Sequence, residues 1–205
     1  FYDRPRRDVP AERLYNQPTL LPDDDLLRVN AFDWRGEFAE IVKAGGFDAV
    51  IGNPPYGAEL DQPTKDYIRH RYRAYKYKYD SYVYFIEKAI SLTRTGGWLS
   101  YITPEVWLKL ENASALRTLI GEQTAFVRLN VLGEGVFSQA VVNTIVFVLQ
   151  KGVTVGELTV EKGNSTWILL TSDWRNSDLA TIDYRLRSQD RYLIDKIRSR
   201  SHQLA

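Results

Sequence analysis

The sequence predicts an α/β fold built on a mostly parallel sheet with one antiparallel strand. Three observations carry this. Short apolar runs alternate with segments of helical spacing, which is the pattern of strands crossing over through helices. Gly45-Gly46 and Gly96-Gly97 each stand between a helical segment and the next apolar run, where glycine suits a helix end. The last two apolar runs are joined by the short connection Gly133–Ala140, which fits a hairpin and so one antiparallel strand.

Taken in order, residues 1–25 are polar, with Pro5, Pro10, Pro18 and Pro22 spread among them. They read as a connector. Leu26–Phe32 is expected as a short strand, and Glu37–Lys43 as a helical turn or two. Phe47–Gly52 (FDAVIG) is a short apolar run, expected as a buried strand. It stops at Asn53-Pro54-Pro55-Tyr56-Gly57, where two prolines bar both helix and ladder hydrogen bonds and impose a rigid loop. Residues 62–76 are expected to be partly helical. In Ser81–Arg94, Val83, Ile86, Ala89, Ile90 and Leu92 recur at helical spacing. Trp98–Ile102 is the next strand, a helical stretch starts at Pro104–Leu108, and Ala113–Glu122 is a helix. Phe126–Leu132 and Val141–Leu149 are the last strands of this region. Beyond Gly152 the pattern changes: Val153–Leu170 alternates like small antiparallel strands, and Asp183–Arg200 is expected as a basic amphipathic helix. Residues 153–205 are expected to be a linker and the start of a second region.

Composition narrows the chemistry. The 205 residues suffice for one good-sized core, or one domain and part of another. With 27 Lys+Arg against 26 Asp+Glu, the net charge of +1 neither argues for nucleic acid nor excludes it. The chain has no cysteine, so disulfides, cysteine metal sites and thiol nucleophiles are excluded. His70 and His202 are its two histidines, too few to suggest a histidine metal site, and no metal is expected. No apolar stretch of about 18 residues occurs and no signal peptide opens the chain, so a cytoplasmic location is expected. The chain has no methionine and begins at Phe1, which suggests a segment of a longer protein.

The Asn-Pro-Pro-Tyr loop concentrates the chemistry. In an open parallel sheet, ligands bind beyond the carboxyl ends of strands, and this loop is expected at such an end. Asn53 offers a side-chain carbonyl and Pro54 a backbone carbonyl without an N–H of its own. Pro54 and Pro55 fix both acceptors in advance. Tyr56 supplies a ring on which a base can stack, worth roughly 1–3 kcal/mol. An exocyclic aromatic amine is a poor nucleophile because its lone pair is delocalised. Two acceptors gripping its N–H bonds would turn that lone pair out of conjugation toward an incoming methyl group. No strong base is needed first, because the proton can leave afterwards.

FDAVIGNPPYG, Phe47–Gly57, resembles the catalytic motif of class I N6-adenine DNA methyltransferases, most closely the restriction–modification and phage-defence branch. Lys78–Gly97, Trp98–Leu108 and Leu132–Lys151 resemble the segments that follow it in that family, in order. The resemblance covers about residues 26–151 and implies a partial, Rossmann-like class I methyltransferase fold, the C-terminal half of a catalytic domain over 26–152. It implies S-adenosylmethionine as cofactor, with Asn30 (or Asp33), Asn53 and Phe85 near it. It implies a flipped adenine sandwiched between Tyr56 and Phe137 in double-stranded DNA. The family's Gly-rich cofactor turn has no counterpart here. This implies an upstream half of the domain, a downstream recognition domain, and an inactive segment that binds the cofactor poorly on its own.

In residues 65–79, Arg69, Arg71, Arg73, Lys76 and Lys78 interleave with five tyrosines, which suits DNA contact. A solvated helix whose tyrosines pack on the sheet is the competing reading. Arg185, Arg187, Arg191, Lys196, Arg198 and Arg200 of the tail could likewise meet DNA or simply face solvent. Two rival functions share the loop: a protein glutamine or ribosomal RNA methyltransferase, and a catalytically incomplete DNA-binding fragment.

Overall fold

The structure is a computed structural model that describes residues 32–75, 80–136, 142–154, 156–175 and 179–186, with single positions at 190, 193 and 196. It opens on two short helices, α1 (Trp34–Glu37) and α2 (Ala39–Lys43). The Asp33 carboxylate caps α1, accepting from the Arg35 and Gly36 N–H groups. Phe38 of the turn between the two helices packs edge-on to Phe47, 5.2 Å between ring centroids, and so seats them at the start of strand β1. Gly46 makes this entry possible. Its φ is +121°, and a Cβ there would lie 2.4 Å from the Leu92 carbonyl oxygen.

Strand β1 is Phe47–Gly52, where the apolar run predicts a strand, but it is not the buried strand expected: it lies at an edge of the described sheet and none of its residues is buried. After the loop, α3 (Gln62–Arg71) is capped by Asp61, whose carboxylate accepts from the Thr64 N–H, with Pro63 in its first turn. Helix α4 (Tyr82–Leu92) turns Val83, Ile86, Ala89 and Ile90 into the core, the face its spacing predicts. Strand β2 (Thr93–Pro104) follows directly and pairs parallel to β1, with Val50 opposite Leu99 and Gly52 opposite Tyr101.

β2 begins five residues before the expected Trp98, and Gly96-Gly97 lies inside the strand rather than at the end of the helix. The helix ends at Leu92, where Thr93 turns extended while its N–H and hydroxyl both donate back to the Ala89 carbonyl, the hydroxyl at 2.8 Å. Gly97 serves the strand pairing: a Cβ there would sit 2.9 Å from the Asp48 carbonyl oxygen of β1.

Two 3₁₀ turns, Glu105–Leu108 and Glu111–Ala113, lead to α5 (Ser114–Gln123), then β3 (Thr124–Gly133) and β4 (Thr144–Lys151). β4 inserts between β2 and β3, antiparallel to both, and is the expected antiparallel strand. β5 (Glu157–Lys162) and β6 (Ser165–Leu170) form the alternating hairpin of the tail, followed by α6 (Ser172–Arg175). β5 also pairs parallel to β3, so the hairpin extends the same sheet, whose order is β1-β2-β4-β3-β5-β6. Trp107, Phe126, Phe147 and Trp174 are fully buried around its centre. Among the described residues no helix is long and apolar enough to cross a membrane.

β1 is an end strand of the described sheet, and Ile51 on it is 81% exposed. The expected strand at Leu26–Phe32 lies outside the described residues but for Phe32. Most of the expected helix Asp183–Arg200 does too; Asp190, Leu193 and Lys196 are helical, whereas Asp183–Leu186 is an irregular turn.

Candidate active site

The Asn53–Tyr56 loop leaves the carboxyl end of β1 beside the carboxyl end of β2. Pro54 is buried, Tyr56 is half-buried, and Asn53 and Pro55 are exposed. The Tyr56 hydroxyl faces two acceptors, Asn53 Oδ1 at 2.7 Å and the Ile102 carbonyl of β2 at 2.9 Å. Its ring stands edge-on to Tyr82 at 6.1 Å. Burial, and then the negative charge of Asp80, push the Tyr56 phenol above its ordinary pKa. It is therefore a neutral hydrogen-bond donor at physiological pH.

The start of α4 holds the loop's backbone. Ser81 Oγ donates to the Pro55 carbonyl at 2.7 Å, and Asp80 Oδ1 accepts from the Gly57 N–H at 2.8 Å. Gly57 has φ +63°, so the chain turns away from the loop through a left-handed residue. Motif reading of the loop did not single out Asp80 or Ser81. The signal available was the helix start expected at Ser81, which puts these two residues at the end of α4 that the loop meets.

Phe85 lies on α4 but is 45% exposed, while its neighbours Tyr84 and Ile86 are buried. An exposed ring beside buried neighbours fits the apolar face that a cofactor adenine needs. Asn30 and Phe137 lie outside the described residues. Asp33 is described, and its carboxylate is engaged as the cap of α1.

In the basic stretch, Arg69 is exposed, Arg71 lies over the Tyr67 ring, and Arg73 pairs with Glu122 at 3.0 Å. Tyr67, Tyr72 and Tyr75 pack against the core. Tyr72 is buried deeply enough that its phenol pKa is pushed well up, with Tyr67 and Glu87 adding to the shift. Tyr72 and Tyr75 reach the core through the Tyr84 ring of α4, at 5.6 and 6.4 Å between centroids, rather than on the sheet. Glu87 of α4 shapes the turn by accepting from the Arg73 and Ala74 N–H groups at 2.9 and 2.8 Å. Lys76 and Lys78 lie outside the described residues.

A second polar cluster sits just beyond the end of β2. Glu105 accepts from Tyr184 at 2.5 Å, from Arg185 at 3.1 Å and from Asn143 at 3.2 Å. Arg185, one of the tail cations, is thus paired. The hollow beside this cluster is about 170 Å³ and is lined by Glu105, Val106, Leu108, Lys109, Leu110 and Tyr184. It falls below the roughly 300 Å³ of an ordinary ligand pocket.

The family model described as Eco57I restriction-modification methylase matches residues 6–137, which takes in the whole loop and its α4 clamp. The chain belongs to this family. The Eco57I-family chain is 26% identical over 194 residues to the type II restriction enzyme and methyltransferase RM.Eco57I of Escherichia coli, covering 88% of this chain and 19% of that protein. It is 33% identical over 115 residues to the type II methyltransferase M.TthHB8I of Thermus thermophilus, covering 52% of this chain and 26% of that one. It therefore spans about a quarter or less of the length of these relatives. The methyltransferase subunit of the type I restriction-modification system from Streptococcus thermophilus superposes with a TM-score of 0.50 at 18% identity, covering 69% of this chain and 32% of that one. That likeness speaks to the fold alone, an α/β arrangement around a mixed sheet.

Proposed function

We propose that this Eco57I-family chain carries the catalytic loop of a site-specific DNA methyltransferase that methylates the N6 amine of an adenine flipped out of the duplex. The whole protein would serve a restriction-modification or related defence system. The observation that carries the reading is the loop itself. Asn53 stands exposed at the carboxyl end of a parallel strand, and its side-chain carbonyl is already within hydrogen-bond reach of a donor. An amine entering there would take the place of that donor. The Asn53 and Pro54 carbonyls hold its two N–H bonds and free its lone pair, Tyr56 forms one wall for the base, and Phe137 forms the other.

S-adenosylmethionine, when bound, supplies an electrophilic methyl group. Phe85 offers its exposed ring to the cofactor's adenine, with Asn30 and Asn53 nearby. Arg69, Arg71, Arg73, Lys76 and Lys78 contact phosphates, which position the enzyme without choosing sequence. Residues 26–152 act as the C-terminal half of the catalytic domain. Residues 153–205, whose hairpin joins the same sheet, lead toward a recognition region. Residues 1–205 alone are expected to be inactive, and micromolar cofactor binding by calorimetry is the opposing result.

The decisive experiment is Asn53→Ala in the full-length protein, assayed for N6-methyladenine by mass spectrometry and for DNA binding by gel shift. Methylation should vanish while binding stays. Unchanged methylation overturns the assignment.

A further inference from the structure

We propose that Asp80 and Ser81 are positioning residues that fix the Tyr56 backbone from both sides and so hold the catalytic loop in its working geometry. This rests on the methyltransferase reading above. The two contacts fall on the two peptide units that flank Tyr56. Ser81 Oγ grips the Pro55 carbonyl, in the unit before it, at 2.7 Å. Asp80 Oδ1 grips the Gly57 N–H, in the unit after it, at 2.8 Å.

A loop with two prolines lacks the N–H groups that would tie it to a neighbouring strand. Side chains must therefore do what a ladder does elsewhere. The Tyr56 hydroxyl adds a third tie, at the far end of its side chain, to the Ile102 carbonyl. Tyr56 is thus held at both flanks and at its tip, and its hydroxyl also lies 2.7 Å from Asn53 Oδ1, the alternative acceptor for its one hydrogen. Asp80 and Ser81 touch no reacting atom. They act through the loop.

The acceptor geometry, not the charge, is what the clamp needs. Asp80→Asn keeps an oxygen in place of Oδ1 and can still accept from the Gly57 N–H. Asp80→Ala and Ser81→Ala each remove one tie. A displacement of about 1 Å at a reacting centre costs on the order of 100-fold in rate, so each alanine variant should lose roughly 10- to 100-fold in single-turnover methylation.

The test uses the full-length enzyme with duplex DNA and S-adenosylmethionine. The expected result is that kcat falls in Asp80→Ala and Ser81→Ala, that KM for DNA and for the cofactor stays near the wild-type value, and that Asp80→Asn restores most of kcat. Ser81→Ala keeps the proposal testable if Asp80→Ala does not fold. Two results overturn it: wild-type kcat in both alanine variants, or an Asp80→Asn variant as impaired as Asp80→Ala, which would mean that the charge acts instead. If the wild-type enzyme methylates and Asn53→Ala is dead while the Asp80 and Ser81 variants are normal, the clamp fails and the function stands. A wild-type enzyme that forms no N6-methyladenine fails the function itself.

Discussion

The Tyr56 hydroxyl lies 2.7 Å from Oδ1 of Asn53, the acceptor proposed for the target amine. The loop thus satisfies its own acceptor before a base arrives. The hydroxyl has one hydrogen and a second acceptor at hand, the Ile102 carbonyl at 2.9 Å. It can turn wholly to Ile102 and release Asn53 at little cost. Tyr56→Phe keeps the ring and removes the competitor, so methylation should persist within about 10-fold of wild type. Tyr56→Ala removes the stacking wall and should weaken base capture by roughly 1–3 kcal/mol, read with 2-aminopurine fluorescence at the target position. Equal damage in both variants would assign the role to the hydroxyl instead of the ring.

Phe85 offers a second separation of effects. Its ring is 45% exposed, so truncation removes little from the core. Phe85→Ala should leave the thermal midpoint within a few degrees of wild type. If the ring covers the cofactor's adenine, KM for S-adenosylmethionine should rise on the order of 10-fold or more, the equivalent of about 1.5–3 kcal/mol of lost burial. DNA affinity should not move. A fall in stability with an unchanged cofactor KM would make Phe85 a structural residue.

What the sequence discloses here is what is encoded locally. β1 and its loop were legible because an apolar run ends on two prolines, which settle the matter within a few residues. The buried face of α4 was legible through its period. The start of β2 was not, because Gly96-Gly97 reads as a helix stop, whereas its use is the close approach of β1, a strand more than forty residues away in sequence. Asp80 and Ser81 carry no local signal for a related reason: their partners, Gly57 and Pro55, lie 23 and 26 residues back. The tail turn Asp183–Leu186 looked helical by composition, but Tyr184 and Arg185 are drawn to Glu105, some 80 residues upstream.

That tail turn should respond to pH. Asp183 pairs with Lys109 at 2.6 Å. Burial alone would raise its carboxyl, but the hydrogen bonds from Lys109 and the Arg185 N–H, with the charges of both residues, outweigh it and leave the carboxyl below the ordinary carboxylate range. A depressed pKa means that the folded state favours the ionised form. The stabilisation is then fully present above about pH 4, the unfolded value, and is lost as pH falls through the lower folded value. Hydrogen exchange at Ile182, whose N–H donates to the Leu108 carbonyl, should accelerate below about pH 4 relative to the sheet. Asp183→Asn should abolish that difference.

Arg117 sets the sharpest stability prediction. It is fully buried, and its guanidinium donates to the carbonyls of Trp107, Leu110, Leu179 and Ala180. A basic residue on a helix reads as surface, so its burial was not foreseeable from α5 alone. The fork shape of guanidinium lets one side chain satisfy carbonyls from two directions, and it thereby staples the turn after β2 to the chain at 179–180. Arg117→Ala leaves those carbonyls without their donor. At about 1–3 kcal/mol for a buried group left unpaired, the loss should reach about 3 kcal/mol or more. Arg117→Lys keeps the charge but has one nitrogen to offer, so it should fall between the two. Urea denaturation of the full-length protein measures the ranking, and tryptic cleavage at Arg185 should speed up in the same order. Wild-type stability in Arg117→Ala would mean that water replaces the guanidinium at no cost and that the other ties of the 179–185 segment, to Glu105, Leu108, Lys109 and Trp167, are enough to hold it.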